Sequence, residues 1–248
     1  MIDRVWVTGA QGFFGRAAAD LLEAEGLEVV RIARRSWGPD APRGSETGPI
    51  EDEFLCTLVV RHGAPNLILH LAGNGTVGAS FRDPAGDFLS SAGTTASLLR
   101  VITHSAPRAT LVFPSSAAVY GEAGAEPLPE TSPTRPVSPY GMHKLATEAL
   151  CRLWVERYGS RVAVVRYFSL VGRGLRKQLF WELGRRLPAE RDATPVAMLG
   201  TGEETRDFLD VGDAVRLALA LHRRHEPGLT LVNGASGRGT TIRSAATA

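Results

Sequence analysis

The segment Thr8-Gly9-Ala10-Gln11-Gly12-Phe13-Phe14-Gly15 limits what this chain can fold into more than any other stretch. It follows a short apolar run at residues 4–8 and opens a segment, residues 14–25, of helical period. There Phe14, Ala17, Ala18, Leu21 and Leu22 make one apolar stripe. Glycines at a strand-to-helix turn have physical uses. Gly9 permits a tight turn, Gly12 lets the backbone approach a pyrophosphate, and Gly15 lets helix and strand pack closely. The helix start adds unpaired N–H groups and the positive end of its dipole. We therefore read Gly9, Gln11, Gly12, Phe13, Phe14 and Gly15 as a dinucleotide-binding loop, a purely structural turn being the alternative.

The rest of the chain repeats this alternation. Strands are expected at residues 28–32, 66–71, 110–114 and 162–167, with helices at 52–62, 85–104 and 140–158. That pattern predicts an α/β fold, a Rossmann-type doubly wound parallel sheet. Residues 36–49 read as an exposed loop, and a Pro-rich stretch at 126–139 precedes the helix near Tyr140. Beyond residue 170 the alternation weakens to a helix at 177–187, a strand at 196–199 and a helix at 211–222. We expect a dinucleotide-binding domain at 1–170 and a smaller substrate-binding lobe at 171–248. The lobe is expected to be discontinuous, to contribute sheet-completing strands and to be shortened.

Bulk properties exclude several classes. With 248 residues, 44% hydrophobic and 22% charged, the chain can build one sizeable core. A formal charge of +2 with no basic run argues against nucleic acid as a partner. No run of about 18 apolar residues predicts a membrane span, and the first residues lack a signal-peptide pattern, so a cytoplasmic protein is expected. Cys56 and Cys151 show no redox or metal spacing, and no metal site is expected. His62, His104, His222 and His225 read as surface residues, and His70 as a core histidine.

The second strand bears on cofactor choice. It ends Val30-Arg31-Ile32-Ala33-Arg34-Arg35, so Ala33 stands where NAD-preferring folds place a carboxylate for the ribose hydroxyls. Arg34 and Arg35 suit a 2′-phosphate by charge and paired hydrogen bonds. NADP(H) is the expected cofactor, with NAD(H) left open.

Tyr140 and Lys144 lie four residues apart, on one face of the expected helix. An ammonium beside a phenol is expected to lower its pKa from about 10, as is the charge of an oxidised nicotinamide. Ser115 and Ser116 end a strand, where open α/β sheets bind ligands, and such a hydroxyl can steady a substrate oxygen. His143, by helical geometry, points away from Tyr140.

Taken together, the TGAQGFFG loop, His70-Leu71-Ala72-Gly73, SSAAVYG, SPYGMHKLATE, Arg166-Tyr167-Phe168-Ser169 and the stretch 199–213 resemble the extended short-chain dehydrogenase/reductases. More narrowly, the chain is similar to the NAD-dependent epimerase/dehydratase family acting on nucleotide sugars. The resemblance implies Ser116, Tyr140 and Lys144 as catalytic residues. It adds Ile50, Leu71, Ala72, Gly73, Tyr140, Lys144 and Tyr167 to the cofactor contacts. It implies Ser116, Ser169, Lys177, Gln178 and Arg206 as substrate contacts, Arg206 towards the diphosphate. Ala117 and Ala118 replace the acid pair of the dehydratases, which disfavours water elimination. Ser91, Ser169 and Pro49 also depart from the family pattern.

The resulting expectation is NADPH-dependent reduction of a keto group on a nucleotide-linked sugar. The alternatives are a nucleotide-sugar epimerase with retained NAD(P), and a non-catalytic dinucleotide-binding regulator. By analogy with relatives, a homodimer through helices 85–104 and 145–158 is expected. Leu98, Leu99, Leu150, Leu153 and Trp154 serve equally well there as core residues.

Overall fold

In β1 (Arg4–Thr8) the side chains alternate between two buried layers, Val5 and Val7 on one face of a sheet and Trp6 on the other. The computed structural model describes residues 3–122, 124, 127–186, 200–224 and 227–247. After β1 come α1 (Phe13–Ala24), β2 (Glu28–Ala33), β3 (Ser45–Thr47), α2 (Asp52–His62) and β4 (Leu67–His70). Then follow α3 (Val77–Arg82), α4 (Pro84–Phe88), a π turn (Leu89–Gly93), α5 (Thr94–Ser105) and β5 (Thr110–Ser116). A 3₁₀ turn (Ala117–Val119), α6 (Pro139–Tyr158), β6 (Arg161–Tyr167), β7 (Ser169–Val171) and α7 (Gln178–Arg186) come next. The chain ends with β8 (Thr205–Asp210), α8 (Val211–Arg223), β9 (Leu229–Gly234), β10 (Gly239–Thr241) and α9 (Ile242–Thr247).

Seven strands pair in the order β3-β2-β1-β4-β5-β6-β9, all parallel. Because parallel strands are covered on both faces, they carry continuous apolar runs. Val5, Val7, Leu69, Val112 and Val165 face α1 and α8, whose Ala18, Leu22, Ala214 and Val215 are buried against them. Trp6, Ile68, Leu111, Phe113 and Val164 face α2, α5 and α6. Each large side chain so buried contributes about 1.5–3 kcal/mol. The doubly wound sheet expected from the sequence is present. Strand order reverses between β1 and β4, which opens a crevice at their carboxyl ends. Elements beyond residue 170 divide: α8 and β9 cover and extend this sheet, while β10, β8 and β7 form a separate small one.

Several expectations are corrected. The loop at 36–49 contains β3, which pairs with β2, and the Trp37 indole is tied to the Glu46 carbonyl at 3.1 Å. The helix expected over 85–104 begins at Pro84, capped by Asp83, and is widened by the π turn. There Thr94 and Thr95 hydroxyls bond back to the Ser90 and Ser91 carbonyls. α3 went unread because six residues are too few to show a period. β5 runs on through Ser116. His222 is buried, bonding Thr110 Oγ1 at 3.2 Å, and His62 is half-buried against Glu46 at 2.7 Å. The strand expected at 196–199 and His225 lie outside the described residues. Leu98 and Leu99 are core, whereas Leu153 is exposed. Both cysteines are free. Among the described residues no helix is long and apolar enough to cross a membrane, and no cluster could hold a metal ion.

Candidate active site

A cleft of about 690 Å³ opens over the carboxyl ends of β1, β2 and β4, within the size of small-molecule sites. Its floor is the glycine loop. Gly9 has φ +67°, and a Cβ there would lie 2.6 Å from the Leu71 carbonyl oxygen. A Cβ on Gly15 would sit 2.1 Å from the Gly9 carbonyl, so only glycine fits at either position. Gly12 caps α1 without a side-chain partner, and no acidic residue occupies the first turn, which leaves the N–H groups free for an anion. This cradle fits the pyrophosphate of a dinucleotide.

The structure brings Gly9, Gln11, Gly12, Arg34, Arg35, Ile50, Leu71, Ala72 and Gly73 together around that cleft. Gln11 is braced by hydrogen bonds to the Arg35 and Ser36 carbonyls at 3.2 and 3.3 Å. Arg34 and Arg35 are exposed at its rim, beside the buried Ala33. Phe13 and Phe14 open α1 outside the cleft lining, Phe14 stacking edge-on against Tyr167 at 5.3 Å. Tyr167 is itself buried, its hydroxyl donating to the Ala214 carbonyl at 3.1 Å, and burial pushes its pKa up. Both aromatics thus sit in the layer between the sheet and α8, away from the cleft lining.

Beside the cleft, α6 grips the end of β5 residue by residue. Tyr140, Lys144 and Glu148 lie at i, i+4 and i+8, one face of the helix. The half-buried Ser116 hydroxyl ends β5 and favours the Tyr140 phenolate. Lys144 Nζ donates to the Pro114 carbonyl at 2.8 Å and lies 4.8 Å from the Phe113 ring centroid. The Ser115 hydroxyl donates to Glu148 Oε1. The helix start is fixed from two sides. Ser138 Oγ accepts from Gly141 N at 3.1 Å, and buried Ser80 Oγ accepts from Tyr140 N at 3.0 Å while donating to the Val77 carbonyl.

Burial raises the Tyr140 pKa, the Ser116 hydrogen bond lowers it in part, and the Asp87 carboxylate raises it again. The Lys144 ammonium, donating to the Pro114 carbonyl, stands 5.7 Å from the Tyr140 ring centroid. Burial holds Lys144 down at about 8, against the charges of Asp87 and Glu148.

Two groups went unread in the sequence. Asp87 lines the cleft, buried, and meets His143 Nδ1 at 2.6 Å. His143 thus faces the carboxylate that also acts on Tyr140. The second is a relay of side chains beneath the cleft. Thr94 gives its proton to the Ser90 carbonyl at 2.8 Å, so it accepts from His70 Nε2 at 3.1 Å. The bare Nδ1 then accepts from Thr8 at 2.8 Å, and Thr8 Oγ1 accepts from Ala72 N at 3.0 Å. Burial, with Lys144 nearby, pushes the His70 pKa down to about 3, which keeps it neutral.

Further along the chain, Lys177 Nζ donates to the Gly75 carbonyl at 3.2 Å, next to cleft-lining Asn74, and burial lowers its pKa. Ser169 starts β7 opposite Phe208, Gln178 opens α7, and Arg206 is exposed on β8, donating to the Thr205 carbonyl at 3.0 Å.

Comparison with known proteins agrees with this geometry. The sequence profile of the NAD dependent epimerase/dehydratase family matches residues 5–233. The chain is 32% identical to a UDP-glucose 4-epimerase of Azospirillum brasilense, over 97% of this chain and 74% of that protein. It is 31% identical to a GDP-6-deoxy-D-mannose reductase of Pseudomonas aeruginosa, over 98% of this chain and 78% of the other. The Thermotoga maritima UDP-glucose 4-epimerase, solved with UDP-glucose, superposes with a TM-score of 0.85 at 27% identity, covering 98% of this chain and 80% of that one. The Thermus thermophilus UDP-glucose 4-epimerase, solved with NAD, gives 0.82 at 28% identity, covering 98% and 81%. Glycine cradle, Tyr140–Lys144 stripe and sequence profile agree, and the chain belongs to the NAD dependent epimerase/dehydratase family of enzymes.

Proposed function

We propose that this enzyme moves a hydride between a nicotinamide dinucleotide held in the cleft and a secondary alcohol or ketone carbon of a nucleotide-linked sugar. The observation that carries the reading is the Ser116–Tyr140–Lys144 group beside a cleft built for a pyrophosphate. A bound nicotinamide supplies or accepts the hydride. Tyr140 gives the proton to the carbonyl oxygen on reduction and takes it from the hydroxyl on oxidation. Ser116 donates a hydrogen bond to that oxygen, and the Lys144 ammonium offsets charge when the phenol is ionised. Ser169, Lys177, Gln178 and Arg206 are assigned to the nucleotide sugar, and the division at residue 170 to cofactor and substrate sides.

Two versions of this reaction have separate support. Arg34 and Arg35 at the rim, with Ala33 in place of a carboxylate, favour NADPH as a dissociable reductant and hence net ketoreduction. The names of the relatives favour epimerisation at one carbon with a retained dinucleotide. Incubation with NADPH or NADH and a panel of nucleotide-linked sugars and keto-sugars, following nicotinamide absorbance and product, separates them. Stoichiometric loss of NADPH with an alcohol product supports reduction, and sugar isomers without net cofactor change support epimerisation. Neither product with any nucleotide sugar, from protein that binds dinucleotide, would contradict the reading. For assembly we propose a homodimer through α5 and α6, where Met142 and Leu153 are exposed.

A further inference from the structure

Behind the catalytic residues lies a buried polar cluster that the chemistry above does not use. The Glu148 side chain is 9% exposed and the Arg166 side chain 6%. Arg166 Nη2 donates to Glu148 Oε2 at 2.7 Å, and its Nε donates to Oε1 at 3.0 Å, a bidentate pair between α6 and β6. The same Oε1 also accepts the Ser115 hydroxyl. Arg166 Nη1 donates to the Tyr120 hydroxyl and to the Glu130 carbonyl, each at 3.1 Å. Tyr120 passes its proton on to Asn233 Oδ1 at 2.7 Å, on β9.

Burying such a pair costs desolvation that apolar side chains of the same volume avoid, so it is weak evidence for stability alone. What the pair does hold is the strand end. Glu148 fixes Ser115, one peptide bond from Ser116, while Lys144, one turn earlier on the same helix, fixes Pro114. We propose that Glu148, clamped by Arg166, is a positioning residue that acts through Ser115 to hold the Ser116 hydroxyl against the Tyr140 phenol. This rests on Tyr140 being the acid/base of the proposed reaction.

Glu148→Gln leaves the Arg166 charge uncompensated and costs stability, so the informative variant is Ser115→Ala, which removes one hydroxyl and keeps the ion pair. The readout is a spectrophotometric titration of tyrosinate in the dinucleotide-free protein. The Tyr140 share is isolated by subtracting the same titration in the Tyr140→Phe background. Since the Ser116 hydrogen bond favours the phenolate, loosening it in Ser115→Ala raises the Tyr140 midpoint, by about half a pH unit or more. Ser115→Thr, which restores the hydroxyl, returns the midpoint. An unchanged or lowered midpoint in Ser115→Ala, even with a reduced thermal midpoint, would overturn the proposal and leave the cluster a structural brace. Failure of the catalytic reading shows separately, as full turnover by Tyr140→Phe, and does not alter the titration.

Discussion

Lys144 Nζ donates to the backbone carbonyl of Pro114 at 2.8 Å, so the buried ammonium is anchored to the strand that carries Ser116 rather than to the phenol it serves. Burial has moved this lysine from 10.5 to about 8. Below about pH 8 it is charged in both folded and unfolded chains, and the folded state bears the full cost of the buried ammonium. Between those two values the folded chain loses the proton first. The group's contribution to stability therefore improves as pH rises through this window, while the ammonium needed beside Tyr140 disappears.

The expected outcome has two parts. The thermal midpoint of wild type gains on that of Lys144→Met between about pH 8 and pH 10. Over the same range kcat/KM for the dinucleotide, which reports the free enzyme, falls with an apparent pKa near 8 in wild type. A flat kcat/KM profile to about pH 10 would count against the assignment.

Gly9→Ala and Gly26→Ala should separate crowding from backbone strain. Both glycines have positive φ, +67° and +82°, but a Cβ on Gly26 meets nothing within 4 Å. Gly26→Ala therefore costs about 1 kcal/mol of conformational strain. Gly9→Ala adds a clash with Leu71 and Ala72, costs about 2–4 kcal/mol and abolishes dinucleotide binding. Denaturant unfolding and equilibrium dinucleotide binding measure the two effects. Wild-type affinity in Gly9→Ala would remove the glycine loop from the site.

Replacing Arg34 and Arg35 by alanine tests the cofactor reading. Both side chains are exposed at the cleft rim, so their loss should leave the fold intact. NADPH affinity is expected to fall about tenfold or more, from the loss of charge-assisted hydrogen bonds, with NADH changed about twofold or less. Equal weakening of both dinucleotides would argue against recognition of a 2′-phosphate.

Parts of this site were legible in the sequence because they are local. The glycine loop and the Tyr140–Lys144 spacing each sit within one turn or one helix, where residue type and interval determine geometry. The groups that went unread act across distance. Ser80 reaches the backbone of Tyr140 over 60 positions and Asp87 reaches His143 over 56, contacts that no period announces. The π turn at Leu89–Gly93 keeps helical dihedral angles at its ends, so periodicity passes over it, while Thr94, bonded back to the Ser90 carbonyl, meets His70. Tyr167 shows the converse. The family resemblance suggested a cofactor contact for it, but packing against Phe14 and a bond to the Ala214 carbonyl hold the ring in the layer between the sheet and α8.

Turnover by Tyr140→Phe, measured at saturating dinucleotide on whichever nucleotide sugar the wild type converts, tests the acid/base role of Tyr140 most directly. Loss of the phenolic proton should lower kcat by about 10²–10⁴-fold, with dinucleotide affinity and thermal midpoint close to wild type. Turnover at the wild-type rate would contradict that role.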